Sequence, residues 1–307
     1  MQLFERNLAD NLLSLHEELK NKTYCHGGYY RFLINDPKPR IIHKASVKDR
    51  LVHHAIYRKL YPFFDRKFIF DSYSCRLGKG THKAMTRFKQ FAHKLSRNNT
   101  QTLWVLKCDI RKFFDSIDHQ ILYNLLCDHT VDKDILWLLK NIIESFSLEY
   151  HSLTDRIGYD IGLPLGNLTS QLFVNIYMNE FDQWVKHKLK AKYYIRYADD
   201  FVILYPSKVA LEQLIPQIAG FLKERLQLTL HPDKLFIKTF ASGVDFLGWV
   251  HFPDHRILRT AAKRRMFRTI QSKLSHPVLE SYRGLLSHGN TDLVRKELEN
   301  SYWLYQN

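Results

Sequence analysis

Two apolar strand-like stretches in this chain end in carboxylates, and that pairing restricts the fold more than any other feature. Thr102–Asp109 reads TLWVLKCD, with polar residues at its ends only. A strand that apolar in a mixed protein is buried on both faces. Tyr193–Ala198 and Phe201–Tyr205 form two more strands around the tight turn Ala198-Asp199-Asp200. Adjacent carboxylates on a stiff turn repel each other, which is tolerated where a cation neutralises them. Asp-Asp is also a common solvent-facing turn pair. The flank sets this one apart: Tyr-Ala-Asp-Asp followed by Phe-Val-Ile-Leu buries its arms and presents only the acids. If the first strand shares their sheet, Asp109 faces Asp199 and Asp200 at its edge. Three hard oxygen donors with no His or Cys nearby suit Mg2+ rather than zinc, with Mn2+ as the alternative ion. Two such ions about 3.5–4 Å apart clamp the attacking and leaving oxygens of an in-line phosphoryl transfer.

Charge supplies the substrate class. The 307 residues carry 46 Lys+Arg against 31 Asp+Glu, a formal net charge of +15. On a folded chain this points to a polyanion, most often nucleic acid, unless the surface is merely basic. The chain is 45% apolar with only 12 Gly and 9 Pro, which argues against disorder and low complexity. Cys25, Cys75, Cys108 and Cys127 show no CxxC pairing or zinc spacing and fit a reducing compartment. Glu5, Asp10, Glu17 and Glu18 exclude a signal peptide, and no apolar run reaches the ~18 residues of a membrane span. The expectation is a cytoplasmic protein that engages no membrane.

Along the chain, periodicity predicts a helix over 2–20, strands over 29–35 and 40–45 around Asn35-Asp36-Pro37-Lys38, and a helix capped by Ser46. A basic helix over 82–96 precedes the first acid strand. Helices over 118–128, 133–147, 168–188 and 207–225 follow, with short strands over 228–230, 235–240 and 244–250. The last ~55 residues read as helical and basic. The fold class is α+β, antiparallel strands backed by helices.

These residues carry a family resemblance. Asp109 with Phe114 five positions later, then Tyr197-Ala-Asp-Asp200, resembles two catalytic motifs of reverse transcriptases. Pro39-Arg40-Ile41-Ile42 through Asp49-Arg50, and Ser72-Tyr73 to Arg76-x-Gly78-Lys79-Gly80, look like their fingers motifs. Leu228 to Lys234 is similar to the motif that carries a lysine near the leaving group, and Phe246-Leu247-Gly248-Trp249 to the primer grip. The resemblance implies a right-hand polymerase, with fingers over 1–100, a palm over 101–255 and a short helical thumb over 256–307. It implies an RNA template, a DNA or RNA primer and dNTPs as partners.

Gly162-Leu-Pro-Leu165-Gly166-Asn-Leu-Thr-Ser170-Gln171 occupies the place where many reverse transcriptases, including group II intron enzymes, carry Gln-Gly-x-x-x-Ser-Pro. Leu165 in the Gln position and Gln171 in the Pro position resemble the enzymes of diversity-generating retroelements. Those enzymes copy a template RNA into error-prone cDNA, chiefly erring opposite adenine. Such systems imply a small basic accessory protein. A leucine has no donor or acceptor, so a mispair loses less relative to a correct pair. One missing hydrogen bond, about 0.5–1.5 kcal/mol, shifts discrimination roughly threefold to tenfold. Leu165 is alternatively a packing residue.

By the same resemblance, Phe114 is a steric gate against a 2′-hydroxyl, with Phe113 in the core, and Arg40 clamps the triphosphate with bidentate donors. The backbone carbonyl of Ile110 joins Asp109, Asp199 and Asp200 as a metal ligand. Leu165 and Gly166 lie at the nascent pair. Lys234 protonates the leaving pyrophosphate or is a solvated strand-end lysine. Ser170, Gln171, Phe246, Leu247, Gly248, Arg264 and Arg268 face primer and template. Lys79, Lys83, Arg87, Lys89 and Lys94, with the set Arg256, Arg259, Lys263, Arg264, Arg265 and Arg268, form backbone-binding patches. His53, His54 and His119 read as surface or capping residues. Alternatives are a group II intron-like or defence-associated reverse transcriptase, an RNA-dependent RNA polymerase, which Phe114 argues against, and a non-catalytic RNA-binding protein on the same scaffold.

Overall fold

The computed structural model describes residues 2–35, 38–146 and 160–304. Asp36 and Pro37 of the expected hairpin turn lie outside the described residues, as does the final residue of the helix expected over 133–147. In chain order the elements are α1 (Gln2–Arg6), α2 (Leu8–Lys20), β1 (Tyr30–Ile34), β2 (Arg40–Lys44), α3 (Val47–Lys67), α4 (Thr81–Leu95) and β3 (Trp104–Asp109). They continue with α5 (His119–Cys127), α6 (Lys133–Glu144), α7 (Leu168–His187), β4 (Tyr194–Tyr197), β5 (Asp200–Tyr205), α8 (Lys208–Leu226) and β6 (Phe236–Thr239). The chain ends with β7 (Val244–Phe246), β8 (Trp249–His251), β9 (Arg256–Leu258), α9 (Thr260–Ser272), α10 (His276–Leu286) and α11 (Asp292–Leu304).

A four-stranded antiparallel sheet, in the order β4-β5-β3-β6, is the centre of the molecule. Its mostly apolar strands are explained by burial on both sides. Leu106 and Cys108 of β3 and Phe201 and Ile203 of β5 join the core formed with α3, α5, α6, α7 and α8. Val105, Val202 and Leu204 point the other way, against Phe88 and Phe91 of α4 and against Phe240, Val244 and Phe246. A third cluster gathers Trp249, Leu258 and the buried faces of α9, α10 and α11, with Met85 of α4. Residues from the first seventy positions share the first core with the sheet and its helices, so the N-terminal part is not a separately packed unit.

Local signals explain the element ends. Ser46 caps α3 by accepting the Asp49 N–H at 3.1 Å, and Val52, Ile56 and Leu60 are buried on one face. Asp118 and Asp132 cap α5 and α6 in the same way. Two expectations need correction. The segment 244–250 is not one strand: β7 and β8 pair as a hairpin, with Leu247 at φ 53° and Gly248 at φ 86° forming its turn. No strand forms over 228–230; Leu230 makes only a bridge to Ile110. Among the described residues, no helix is long and apolar enough to cross a membrane.

Candidate active site

The sheet delivers the acids to one edge. In the β3–β5 register Asp109 stands directly opposite Asp200, and Tyr197 pairs with Asp200, leaving Ala198 and Asp199 as the two-residue turn. The Ile110 N–H donates to the Asp199 carbonyl at 3.2 Å, fastening that turn to the end of β3. The carbonyl of Asp109 accepts from the His231 N–H at 2.8 Å. All three carboxylates therefore rest on hydrogen-bonded backbone.

Their electrostatics are crowded. Burial pushes the Asp200 carboxyl up to about 7, with Lys107 opposing the rise. Burial also pushes Asp199 up and the Asp109 charge adds to it, while its own backbone N–H, Lys234 and Arg40 oppose. Lys107 Nζ lies 3.3 Å from Asp200 Oδ2, and Lys234 Nζ donates to Asp109 Oδ1 at 2.8 Å. Among the described residues, no three acidic, histidine or cysteine side chains close on a common point for a metal. The donor set nonetheless suits a hard divalent ion. Asp200 Oδ1 is buried without a hydrogen-bond partner, and burial raises the pKa of Asp199 and Asp200, so a bound cation would favour their charged forms. The two lysines stand where part of that charge is needed.

The residues expected at the nucleotide lie around this edge. Arg40 opens β2 with an exposed side chain whose charge reaches Asp199. The segment 162–171 leads into α7 and is bonded to β2: the His43 N–H donates to the Leu165 carbonyl at 2.9 Å, and Asn167 Nδ2 to the His43 carbonyl at 2.8 Å. Gly166 is required there, because its φ is +107° and a Cβ would lie 2.7 Å from Ile42 Cγ2. Leu165 is half-buried beside it, and Gln171 is half-buried in the first turns of α7. Phe114 is half-buried and Phe113 fully so, with the Phe114 carbonyl accepting the Leu163 N–H at 2.8 Å. Lys234 ends a short 3-10 turn two residues before β6, with a 43% exposed side chain whose amine bonds Asp109.

Several expected contacts are corrected by packing. Ser170 is 2% exposed and Phe246 0%, so neither side chain presents itself to a nucleic acid. Leu247 and Gly248, at the tip of the β7–β8 turn, are the parts of that motif left at the surface. Just before α4 Lys79 bonds the Phe70 carbonyl, and on α4 Lys83 bonds the Gly78 carbonyl and Arg87 pairs with Asp71 at 2.9 Å. In the C-terminal set, Arg256 bonds the His288 carbonyl, Arg259 pairs with Asp245 and Lys263 with Glu297. Arg264 and Arg268, one turn apart on α9, remain exposed. His53 and His119 are buried, His53 sharing a 3.0 Å contact with His26 and His119 bonding the Gly162 carbonyl at 2.6 Å.

Sequence reasoning passed over Arg196 and Asp182. Both are 0% exposed in side chain and form a 2.7 Å ion pair directly behind the acid turn. The available signal was Arg196 as the one charge in the short strand YIRY; Asp182, flanked on α7 by Glu180 and Lys186, carried none. Charges are almost never fully buried unless paired.

Comparison with known proteins agrees with this arrangement. The chain is 25% identical over 304 residues to protein YkfC of Escherichia coli, spanning 88% of this chain and 77% of YkfC. It is 23% identical over 324 residues to the group II intron-encoded protein LtrA of Lactococcus lactis, spanning 83% of this chain but only 51% of LtrA. Among solved structures, telomerase from Candida albicans in complex with a fragment of telomeric RNA superposes with a TM-score of 0.59 at 15% identity. That match covers 94% of this chain and 56% of the telomerase. Apo telomerase from Candida tropicalis gives 0.55 at 13% identity, covering 97% and 62%. At such identities the likeness concerns the fold, which is that of an α+β right-hand polymerase. Residues 34–251, from the end of β1 to the end of β8, match the family described as reverse transcriptase (RNA-dependent DNA polymerase). The chain belongs to the reverse transcriptase family.

Proposed function

We propose that this chain copies an RNA template into cDNA, extending a primer 3′ end with dNTPs. The observation that carries the reading is the register of the central sheet: Asp109 opposite Asp200, Asp199 in the turn between β4 and β5, and Arg40 within electrostatic reach. Asp109, Asp199 and Asp200, with the Ile110 carbonyl, are the groups to hold Mg2+ or Mn2+. Bound ions would supply the charge that steadies the attacking and leaving oxygens. Arg40 binds the triphosphate through bidentate donors. Phe114 packs under the sugar and rejects a 2′-hydroxyl, and Leu165 and Gly166 border the nascent pair. Lys234 is placed to give a proton to the departing pyrophosphate. Gln171, Leu247, Gly248, Arg264 and Arg268 steady primer and template. Residues 1–100 act as fingers, 101–255 as palm and 256–307 as thumb, in a cytoplasmic enzyme.

Within that activity, Leu165 and Gln171 favour a mutagenic enzyme of a diversity-generating retroelement, working with a small basic accessory protein. The match to LtrA favours the second reading, a group II intron-like enzyme. Sequencing cDNA made by purified protein on an RNA template with dNTPs and Mg2+ separates the two. The mutagenic reading expects errors concentrated opposite template adenine, reduced roughly threefold to tenfold by Leu165→Gln. Sparse errors spread over all four bases, unchanged by that substitution, would support the intron-like reading.

A further inference from the structure

We infer that Arg196 is the positioning residue of the acid turn: it fixes the peptide plane between Ala198 and Asp199 and ties it to α7. The inference rests on the polymerase reading above. Arg196 lies in β4, two residues before the turn, and is fully buried. Its Nε and Nη2 bond Asp182 at 2.8 and 2.7 Å, the fork-to-fork arrangement that best fixes a guanidinium. Nη2 also bonds Ser72 Oγ at 3.1 Å, and Nη1 bonds Asn175 Oδ1 at 3.3 Å. The fifth bond runs from Nη1 to the Ala198 carbonyl at 3.1 Å. A guanidinium has five N–H donors, and here each has a partner.

The fifth bond matters because of where Ala198 is. Its φ is +55°, at a turn position where glycine is the usual choice. An L-residue there is strained, and rotation about its N–Cα bond, which swings the following peptide, would relieve it. Arg196 holds the carbonyl end of that peptide. The N–H end belongs to Asp199 and lies against its own carboxylate. A peptide unit is planar and rigid, so both ends turn together. Arg196 therefore sets the acid through one rigid plate, while the Ile110 N–H holds the Asp199 carbonyl on the far side. Asn175 and Asp182 both belong to α7, the helix that also carries the segment beside β2. Arg196 thus joins the helix behind the nucleotide to the acids in front of it. The plain alternative is that the Arg196–Asp182 pair only stabilises the fold. A buried pair is weak support for stability, however, and apolar replacement of both partners is often tolerated.

The test uses two variants of the full chain, Arg196→Met with Asp182→Leu together, and Arg196→Lys alone. Each is assayed for thermal melting, primer–template Kd, single-nucleotide extension rate, dNTP KM and Mg2+ dependence. The expected result is a folded double variant with primer–template Kd within about twofold of wild type. Its extension rate falls about 100-fold, the effect of a misplaced reacting group, and its half-saturating Mg2+ rises while dNTP KM changes little. Arg196→Lys, which keeps the charge but lacks the fork, shows the same pattern. Wild-type rate and Mg2+ dependence in either folded variant would overturn the inference. Loss of the fold in both variants would assign Arg196 to stability alone and overturn it as well. Failure of the wild-type protein to extend any primer would instead defeat the polymerase reading.

Discussion

Two antiparallel hairpins bring charge to the same site and are built in opposite ways. The β4–β5 hairpin, which presents the acids, is embedded: Tyr194, Ile195, Arg196 and Phe201 to Leu204 are each at most 1% exposed. The β1–β2 hairpin, which presents Arg40, has every residue of β1 exposed, including Tyr30 at 70% and Leu33 at 58%. It meets the rest of the site through the His43 N–H bond to the Leu165 carbonyl, the Asn167 side-chain bond to the His43 carbonyl, and the close approach of Gly166 to Ile42. The difference follows from their tasks in the proposed reaction. Metal-holding acids tolerate little displacement, so they are set in a packed sheet. A group that closes over a triphosphate has to arrive and leave, and elements with few buried contacts open at low free-energy cost.

Removing the reach of the exposed hairpin is the first way to break this contrast. Arg40→Ala should raise dNTP KM about 10- to 100-fold, the worth of one or two charge-assisted bonds, with primer–template Kd unchanged. Steady-state kinetics and anisotropy binding check both halves; an unaltered KM would leave Arg40 outside the site. The close approach of Gly166 to β2 is the next target. Gly166→Ala puts a Cβ against Ile42 at a left-handed position, so it should cost about 1–3 kcal/mol and lower the melting temperature. It should also raise dNTP KM by pushing β2 away.

A smaller effect sharpens the contrast by pH. His53 lies on α3, touching His26 and Thr169, and burial holds its pKa down to about 4. The unfolded chain takes up that proton below about 6.5 and the folded chain does not, so stability is lost as pH falls from 6.5 toward 4. Asp200 runs the other way. With its pKa raised to about 7, its contribution is present at low pH and lost as pH rises through 7 in the absence of divalent ions. Amide exchange corrected for intrinsic rates should therefore show acid loosening residues 24–53 while β4–β5 stays protected. Uniform loosening of both regions would erase the distinction.

How much of this was legible depends on the range of the signal. The acid strands were legible because double-sided burial demands a mostly apolar run, interrupted here only by Lys107 and Arg196, and Asp109, Asp199 and Asp200 sit at its ends. The β7–β8 turn was not, because Phe246-Leu247-Gly248-Trp249 reads as a continuous apolar strand; only Gly248 hinted at a turn. His53 was misread because its partner His26 lies 27 residues upstream and Thr169 116 residues downstream. Lys79, Lys83 and Arg87 looked like a phosphate-binding face, yet a basic side chain near a helix start can equally bond nearby carbonyls or a single acid. Arg196 is visible only as a charge in an apolar strand, Asp182 is one of several polar residues near the end of α7, and their pairing is a tertiary fact.

The most direct measurement is single-turnover primer extension on an RNA template, comparing wild type with Asp199→Asn/Asp200→Asn across a Mg2+ titration. Both proteins should melt alike and bind primer–template equally. The wild type should add dNTPs only with the divalent ion, and the double variant should be at least ~1,000-fold slower at every concentration. Extension by the variant at the wild-type rate, or by the wild type without any divalent ion, would contradict the assignment of these acids.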